Sequence, residues 1–263
     1  MGIPTRGWYR MVSYGEKVLL VDRKGGKHLI TLEEGGKFHT KHGEILHDEV
    51  VAVGEGGWVS THLGVKYAVL KPCFWDLLQR CRRGPQAVHP KDIGIMLVEL
   101  GVEPGMSIID VGSGSGILIS ALANYVGEKG RVVSYEMRKE FAEIAKKNVE
   151  ALGLVKIVEI READITKGVQ DRGFDVATVD MANPWDVIPV MREALKPGGR
   201  IGLYTPSITQ VIRSVKTLKE NMFVDIRTME CLTRNIRVEE VLVRPESWML
   251  GHTAYMTFAR KTS

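Results

Sequence analysis

Apolar positions in the second half of the chain switch between two periods. Ile93, Met96, Leu97 and Leu100 fall at i, i+3, i+4 and i+7, the spacing of one helix face. After them, short apolar runs alternate with longer amphipathic stretches. The runs predict strands over 107–111, 131–135, 155–160, 174–179 and 200–204. The stretches predict helices over 117–126, 139–152, 184–195 and 208–220. Strands apolar on both faces and separated by helices imply a parallel sheet covered on both sides. Two further runs, 238–243 and 253–258, predict strands with a turn between them, so the sheet is expected to end in an antiparallel pair.

Residues 1–65 have a different pattern. Short β-rich runs at 17–22, 28–32 and 50–53 are separated by Gly25-Gly26, Gly35-Gly36 and Gly56-Gly57. Gly-Gly between strands is a hairpin signal, because such turns need positive φ. The expected organisation is a small N-terminal β-barrel or β-sandwich over 1–65, a join over 66–90 with a short helix near 74–81, and a doubly wound α/β domain over 91–263.

Composition narrows the class without naming it. The 263 residues are 44% hydrophobic and 26% charged, enough apolar material for a sizeable core. No apolar run approaches the 18 or so residues that span a bilayer, and Met1 to Tyr14 holds no apolar segment of a secretory signal. A cytoplasmic protein without membrane contact is expected. Net charge is only +4, but Lys71, Arg80, Arg82, Arg83 and Lys91 cluster with few acids between them. That cluster is either a solvated helix end or a phosphate-contacting surface, with Arg82 and Arg83 at its centre. The three cysteines, Cys73, Cys81 and Cys231, show no metal-site spacing, so no metal is expected.

The most specific chemistry lies in Ile108-Ile109-Asp110-Val111-Gly112-Ser113-Gly114-Ser115-Gly116. An apolar strand runs into a glycine-rich turn and a helix follows, the arrangement that lets a backbone approach a ligand closely. The spacing is G-x-G-x-G rather than the dinucleotide G-x-G-x-x-G. Asp110 just before it would repel a pyrophosphate but suits a ligand carrying an amino group and a sulfonium. Glu136 ends the next strand, where a carboxylate can accept both ribose hydroxyls, and Asp164 follows the third strand within reach of an adenine amino group. This stretch resembles the class I S-adenosylmethionine methyltransferases. The resemblance implies S-adenosyl-L-methionine as cofactor, held by Asp110, Gly112, Ser113, Gly114, Ser115, Gly116, Glu136, Asp164 and Asp180, on a Rossmann-like sheet.

Asp180 ends the fourth strand and begins Asp180-Met181-Ala182-Asn183-Pro184-Trp185. In this fold the loop faces the methyl donor, so Asp180 is the candidate catalytic group. Trp185 either stacks on a planar acceptor or packs its helix onto the sheet. This Asp-x-x-x-Pro-Trp resembles the tRNA adenine-58 N1-methyltransferase family. So do Gln86-Ala87-Val88-His89-Pro90-Lys91-Asp92, Tyr204-Thr205-Pro206-Ser207-Ile208-Thr209-Gln210-Val211, and Arg244-Pro245 followed by Gly251-His252-Thr253-Ala254-Tyr255. The resemblance implies methylation of adenosine N1 in the T-loop of tRNA, a homotetramer as in single-polypeptide bacterial and archaeal members, and acceptor contacts from His89, Trp185 and Tyr204. The family often carries Tyr-Pro where this chain has His89-Pro90, which bears on which adenosine is chosen, the target or the one before it.

Two other readings are open to the same residues. A protein isoaspartate methyltransferase shares the fold and the glycine turn, but the acceptor motif and the preceding β domain speak against it. A non-catalytic tRNA-binding subunit would not need Asp110, the glycines, Glu136 and Asp180 intact.

Overall fold

Alternation of inward and outward side chains builds the first unit. The computed structural model describes residues 10–82, 84, 87–239 and 241–263, and they fall into two units that divide after Arg80. The first holds β1 (Lys17–Asp22), β2 (Lys27–Thr31), β3 (Lys37–Thr40), β4 (Gly43–Leu46), α1 (His47–Val53), β5 (Trp58–Ser60), β6 (Lys66–Leu70) and α2 (Phe74–Leu78). An antiparallel sheet of order β2-β1-β6-β5 is accompanied by the β3–β4 hairpin. Val18, Leu20, Ile45, Val50, Tyr67 and Val69 form its core. The span 50–53, expected as a strand, lies in α1. Its β-branched valines mimic a strand, but only Val50 is buried, and Asp48 and Glu49 favour a helix N-terminus. The last strand, β6, pairs with both β1 and β5, so this unit extends through much of the segment read as a join.

The second unit contains α3 (Pro90–Glu99), β7 (Ser107–Val111), α4 (Ile117–Val126), β8 (Arg131–Glu136), α5 (Lys139–Ala151), β9 (Val158–Glu162), β10 (Phe174–Val179), α6 (Ile188–Ala194), β11 (Leu195–Thr205), α7 (Ile208–Glu220), β12 (Phe223–Met229), β13 (Ile236–Glu239), β14 (Leu242–Pro245) and β15 (Tyr255–Lys261). Its main sheet has the order β12-β15-β11-β10-β7-β8-β9. β7 to β11 run parallel, while β15 is antiparallel to both β11 and β12. The mostly parallel sheet is the doubly wound one that the alternating pattern implies, and it has the order expected from the resemblance to class I methyltransferases.

Two sequence expectations change here. The antiparallel edge is made by β12 and β15, whereas 238–243 straddles a separate exposed hairpin, β13–β14. β12 escaped notice because only Phe223 of it is buried and a bulge interrupts its register between Val224 and Arg227, the mixed pattern of an edge strand. The helix expected over 184–195 is a 3-10 turn, Pro184–Asp186, followed by α6. Pro184 and Pro189, each at the start of its own piece, account for the break.

Strand order reverses at β7, with β8 on one side and β10 on the other. In such sheets ligands bind at the carboxyl ends of the strands beside the reversal. The Asp180 N–H donates to Val111 O at 2.8 Å, and the Gly112 N–H donates to Tyr135 O at 2.9 Å. The loops after β7, β8 and β10 are therefore joined by backbone bonds at one place.

Candidate cofactor and acceptor site

The glycine turn exists because no side chain fits it. Gly112 has φ +92°, and a Cβ there would lie 2.0 Å from the carbonyl oxygen of Asp180. Gly116, with φ +78°, would place a Cβ 3.1 Å from Ala145 of α5. The first glycine lets the ends of β7 and β10 touch, and the second lets α4 start against α5.

Three carboxylates gather around this turn. Asp110 is 1% exposed. It accepts hydrogen bonds from Ser134 Oγ at 2.5 Å and Thr178 Oγ1 at 2.6 Å, one from each neighbouring strand. Burial pushes its carboxyl up to about 6, against the pull of those two hydroxyls. Ser113 Oγ lies 2.5 Å from Ser134 Oγ, extending the chain of hydroxyls into the turn. Glu136 accepts from the Gly114 N–H at 3.1 Å and the Arg138 N–H at 3.0 Å. Asp180 differs from both, because its carboxylate has no hydrogen-bond partner among the described residues. Burial, then the charges of Asp110 and Glu136, push it up to about 7. It keeps some accessible surface, whereas Asp110 and Glu136 are buried.

Asp164 caps the 3-10 turn Ile165–Lys167 by accepting from the Thr166 N–H at 3.1 Å, and the Thr166 hydroxyl donates to it at 2.6 Å. Those bonds hold its carboxyl below the usual range. Asn148, which no sequence motif marks, ties the site together from α5. Its Nδ2 donates to Ser115 O at 2.8 Å and to Arg82 O at 2.9 Å, while its Oδ1 accepts from the Arg82 N–H at 2.8 Å. The signal was a polar side chain on the same helix face as Ala145. The Arg82 side chain is exposed; Arg83 and Gln86 lie outside the described residues.

On the acceptor side, Trp185 has one ring face covered. The Arg213 guanidinium of α7 sits 4.0 Å from its centroid, a cation–π contact. Gln210 Nε2 donates to Ala182 O at 2.8 Å and anchors the loop after β10 to the same helix. His89 is exposed and caps α3, with Pro90 as the first helical residue.

Three of the scattered motifs meet in one buried network. Asp92 is 0% exposed. It accepts from Lys91 Nζ at 2.6 Å, Thr253 Oγ1 at 2.7 Å and Tyr204 Oη at 3.0 Å. Lys91 Nζ also donates to Thr253 Oγ1 at 2.7 Å. The start of α3, the end of β11 and the segment before β15 are thereby locked together. Tyr204, expected at the acceptor, has its hydroxyl engaged on Asp92. Thr253→Val keeps the shape but removes one donor from a buried carboxylate, so a loss of about 1–3 kcal/mol in urea unfolding is expected. An unchanged unfolding midpoint would mean that the network carries no stability. His252 reinforces the same place through Pro206 O at 2.8 Å and Glu230 Oε1 at 2.5 Å.

The glycine cradle fits a ligand pressed against backbone. Three carboxylates, of which only Glu136 has a cation beside it (Arg138 Nε at 3.6 Å), fit a ligand that carries cationic groups, as S-adenosylmethionine does. Among the described residues no cluster of His, Cys, Asp and Glu could hold a metal ion, and no helix is long and apolar enough to cross a membrane.

Comparison with known proteins agrees with this chemistry. The family described as tRNA methyltransferase complex GCD14 subunit matches residues 67–241, and the family described as TrmI-like N-terminal matches residues 11–59. The chain is 34% identical to the tRNA (adenine(57)-N(1)/adenine(58)-N(1))-methyltransferase TrmI of Methanocaldococcus jannaschii, over 92% of this chain and 94% of that protein. It is 34% identical to the tRNA (adenine(58)-N(1))-methyltransferase TrmI of Thermus thermophilus, over 93% and 96%. Among solved structures, it superposes on TrmI of Aquifex aeolicus, a tRNA (m1A58) methyltransferase, with a TM-score of 0.82 at 28% identity, covering 97% of this chain and 100% of that one. A Thermotoga maritima protein described as an S-adenosylmethionine-dependent O-methyltransferase gives a TM-score of 0.88 at 37% identity, covering 96% and 95%.

Proposed function

This chain belongs to the family of S-adenosylmethionine-dependent tRNA (adenine-N1)-methyltransferases, and from that premise we propose that it methylates N1 of adenosine 58 in the T-loop of tRNA, with Asp180 as the group that engages the adenine. The observation that carries the role of Asp180 is its carboxylate, unpartnered at the mouth of the glycine cradle while Asp110 and Glu136 are both hydrogen-bonded.

S-adenosylmethionine supplies a methyl group on a sulfonium. Gly112 to Gly116 give its binding site a close backbone wall. Glu136 and Asp164 would hold its ribose hydroxyls and its adenine amino group. Asp110, buried beneath the turn, fixes the turn through Ser134 and Ser113 and supplies negative potential. Asp180 accepts a hydrogen bond from the N6–H of the target adenine. That bond raises electron density at N1 and stabilises the positive charge that N1 acquires, a contribution of preorganised electrostatics and orientation. The base must first leave its pairing, as in other base-modifying enzymes. Trp185 braces the acceptor loop under Arg213, and Tyr204 acts through Asp92. Arg82 and Arg83 contact tRNA phosphates. His89, smaller than a tyrosine, sets which adenosine is chosen and admits the preceding one.

The protein works in the cytoplasm as a homotetramer. The support for assembly is the β13–β14 hairpin, whose Ile236, Val238, Val241 and Val243 are 54%, 71%, 99% and 68% exposed, with Trp248 beside it at 90%. A lone two-stranded ribbon is marginal in water, and such an apolar surface marks a protein contact. Replacing 236–245 by a short Gly-Ser turn is expected to yield smaller species in sedimentation. An unchanged sedimentation coefficient for the assembly would remove the hairpin from the interface.

Tritium transfer from labelled S-adenosylmethionine tests the acceptor class. Label in tRNA and none in an isoaspartyl peptide is expected; the opposite pattern would overturn the proposal.

A further inference from the structure

The first unit carries an exposed aromatic that its own core does not explain. Trp58 of β5 is opposite Ala68 of β6, Ala68 is opposite Val21 of β1, and Val21 is opposite Lys27 of β2. These four form one row across the sheet. The flanking pair, Val59 and Tyr67, is buried at 3% and 1%, so the row from Trp58 to Lys27 faces the other way. Trp58 is 51% exposed on that outer face. A tryptophan on a solvated sheet face leaves apolar area in water that a smaller residue would not.

Its neighbours are cationic. The Arg23 guanidinium reaches to 6.0 Å from the Trp58 ring centroid. Ala68 lies between their strands, and its small side chain leaves the space for that reach. Lys66 is opposite Ser60, two residues along β5 from Trp58 and on the same outer face. β1 and β6 pair Asp22 with Tyr67; Arg23 follows in the turn after β1 and Lys66 begins β6, so both cations lie at this end of the sheet. Lys27 has an acid partner, Asp76, at 3.1 Å. Arg23 and Lys66 have no carboxylate partner among the described residues. Like charges side by side on a sheet repel, and a phosphate seated on both would remove that cost. An aromatic face flanked by cations is the arrangement that holds a nucleic-acid strand, with bases or riboses stacked on the ring and phosphates on the cations.

We propose that the outer face of this sheet, at Trp58, Arg23 and Lys66, is an RNA-contacting surface that binds the substrate tRNA through residues other than those assigned to methyl transfer. The proposal rests on the reading of tRNA as substrate. It adds a tRNA contact on the first unit to those of Arg82 and Arg83, whereas every residue given to the cofactor and the acceptor base belongs to the second.

The test uses the full-length protein, an unmodified tRNA transcript, and three variants, Trp58→Ala, Trp58→Phe and the double change Arg23→Glu with Lys66→Glu. Trp58→Ala is expected to raise the tRNA Kd about 5-fold or more, the loss of one stacked base, while Trp58→Phe restores most of the affinity. The double change is expected to weaken binding and to flatten the slope of log Kd against log salt by about 1–2, the release of two phosphate contacts. KM for tRNA rises in both, with kcat and S-adenosylmethionine affinity near wild type. Unchanged Kd and salt slope in the presence of normal wild-type methylation would overturn the surface and leave the function standing. A variant that loses its oligomeric state would assign the patch to a second copy of the chain and also overturn the proposal. Wild-type protein that transfers no methyl group to tRNA would instead defeat the functional reading beneath it.

Discussion

Asp180→Ala is expected to lower the single-turnover rate of methyl transfer about 100-fold or more, the range for a positioned proton acceptor or a key electrostatic group, and to spare the fold. The fold survives because the Asp180 backbone, not its side chain, ties β10 to Val111. Asp180→Asn separates the roles. The amide retains an acceptor oxygen but no charge, so a loss close to that of alanine identifies charge as the contribution. The carboxyl at about 7 also fixes the direction of the pH effects. In the proposed role the free enzyme must ionise Asp180, so kcat/KM is expected to fall as pH drops below about 7. Stability moves the opposite way. A carboxyl raised from 3.8 to about 7 keeps its proton in the folded protein when the unfolded chain has already released it. Cofactor-free protein therefore loses stability as pH rises through that window, by at most about 4 kcal/mol for this group. Asp180→Asn removes the penalty, and its cofactor-free form is expected to melt above wild type at pH 8. A variant that melts below wild type there, with near wild-type turnover, would take Asp180 out of the mechanism.

Gly112→Ala has the largest expected effect on structure. A Cβ at 2.0 Å from the Asp180 carbonyl oxygen meets backbone that cannot give way, at a residue whose φ is +92°. The ends of β7 and β10 must separate, which also breaks the bond from the Asp180 N–H to Val111. A loss of about 4 kcal/mol or more is expected, with cofactor binding below detection by calorimetry. Gly153→Ala is the control, since it also has positive φ but no atom within 4 Å of the added carbon. Equal losses at the two positions would mean that backbone strain alone, and not the contact between the strands, makes Gly112 necessary.

The sequence revealed the parts of this molecule whose residues repeat a local pattern. Strands 107–111 and 174–179 and helices 117–126 and 208–220 lie where their periodicity places them, because each buries a continuous apolar face. The edge strand β12 and the helix α1 were not legible: one buries a single residue, and the other presents strand-forming valines on a helix. The candidate site divides in the same way. Asp110, Glu136, Asp164 and Asp180 sit at strand ends or just beyond, which spacing exposes. Ser134, Thr178 and Asn148 complete the site through contacts 24, 68 and 33 residues away in sequence, which no local pattern encodes. The Lys91-Asp92, Tyr204 and Gly251-to-Tyr255 motifs were visible separately. Their convergence on the Asp92 carboxylate required the folded chain.

The central claim is the atom that receives the methyl group. A map of modified nucleosides in a tRNA transcript after reaction with S-adenosylmethionine, by nuclease digestion and mass spectrometry, reads that atom directly. The expected product is 1-methyladenosine at position 58 of the T-loop, with any second site at the adenosine before it, and Asp180→Ala leaving both nearly unmodified. Methyl groups on oxygen, on another base or on an adenosine outside the T-loop would contradict it.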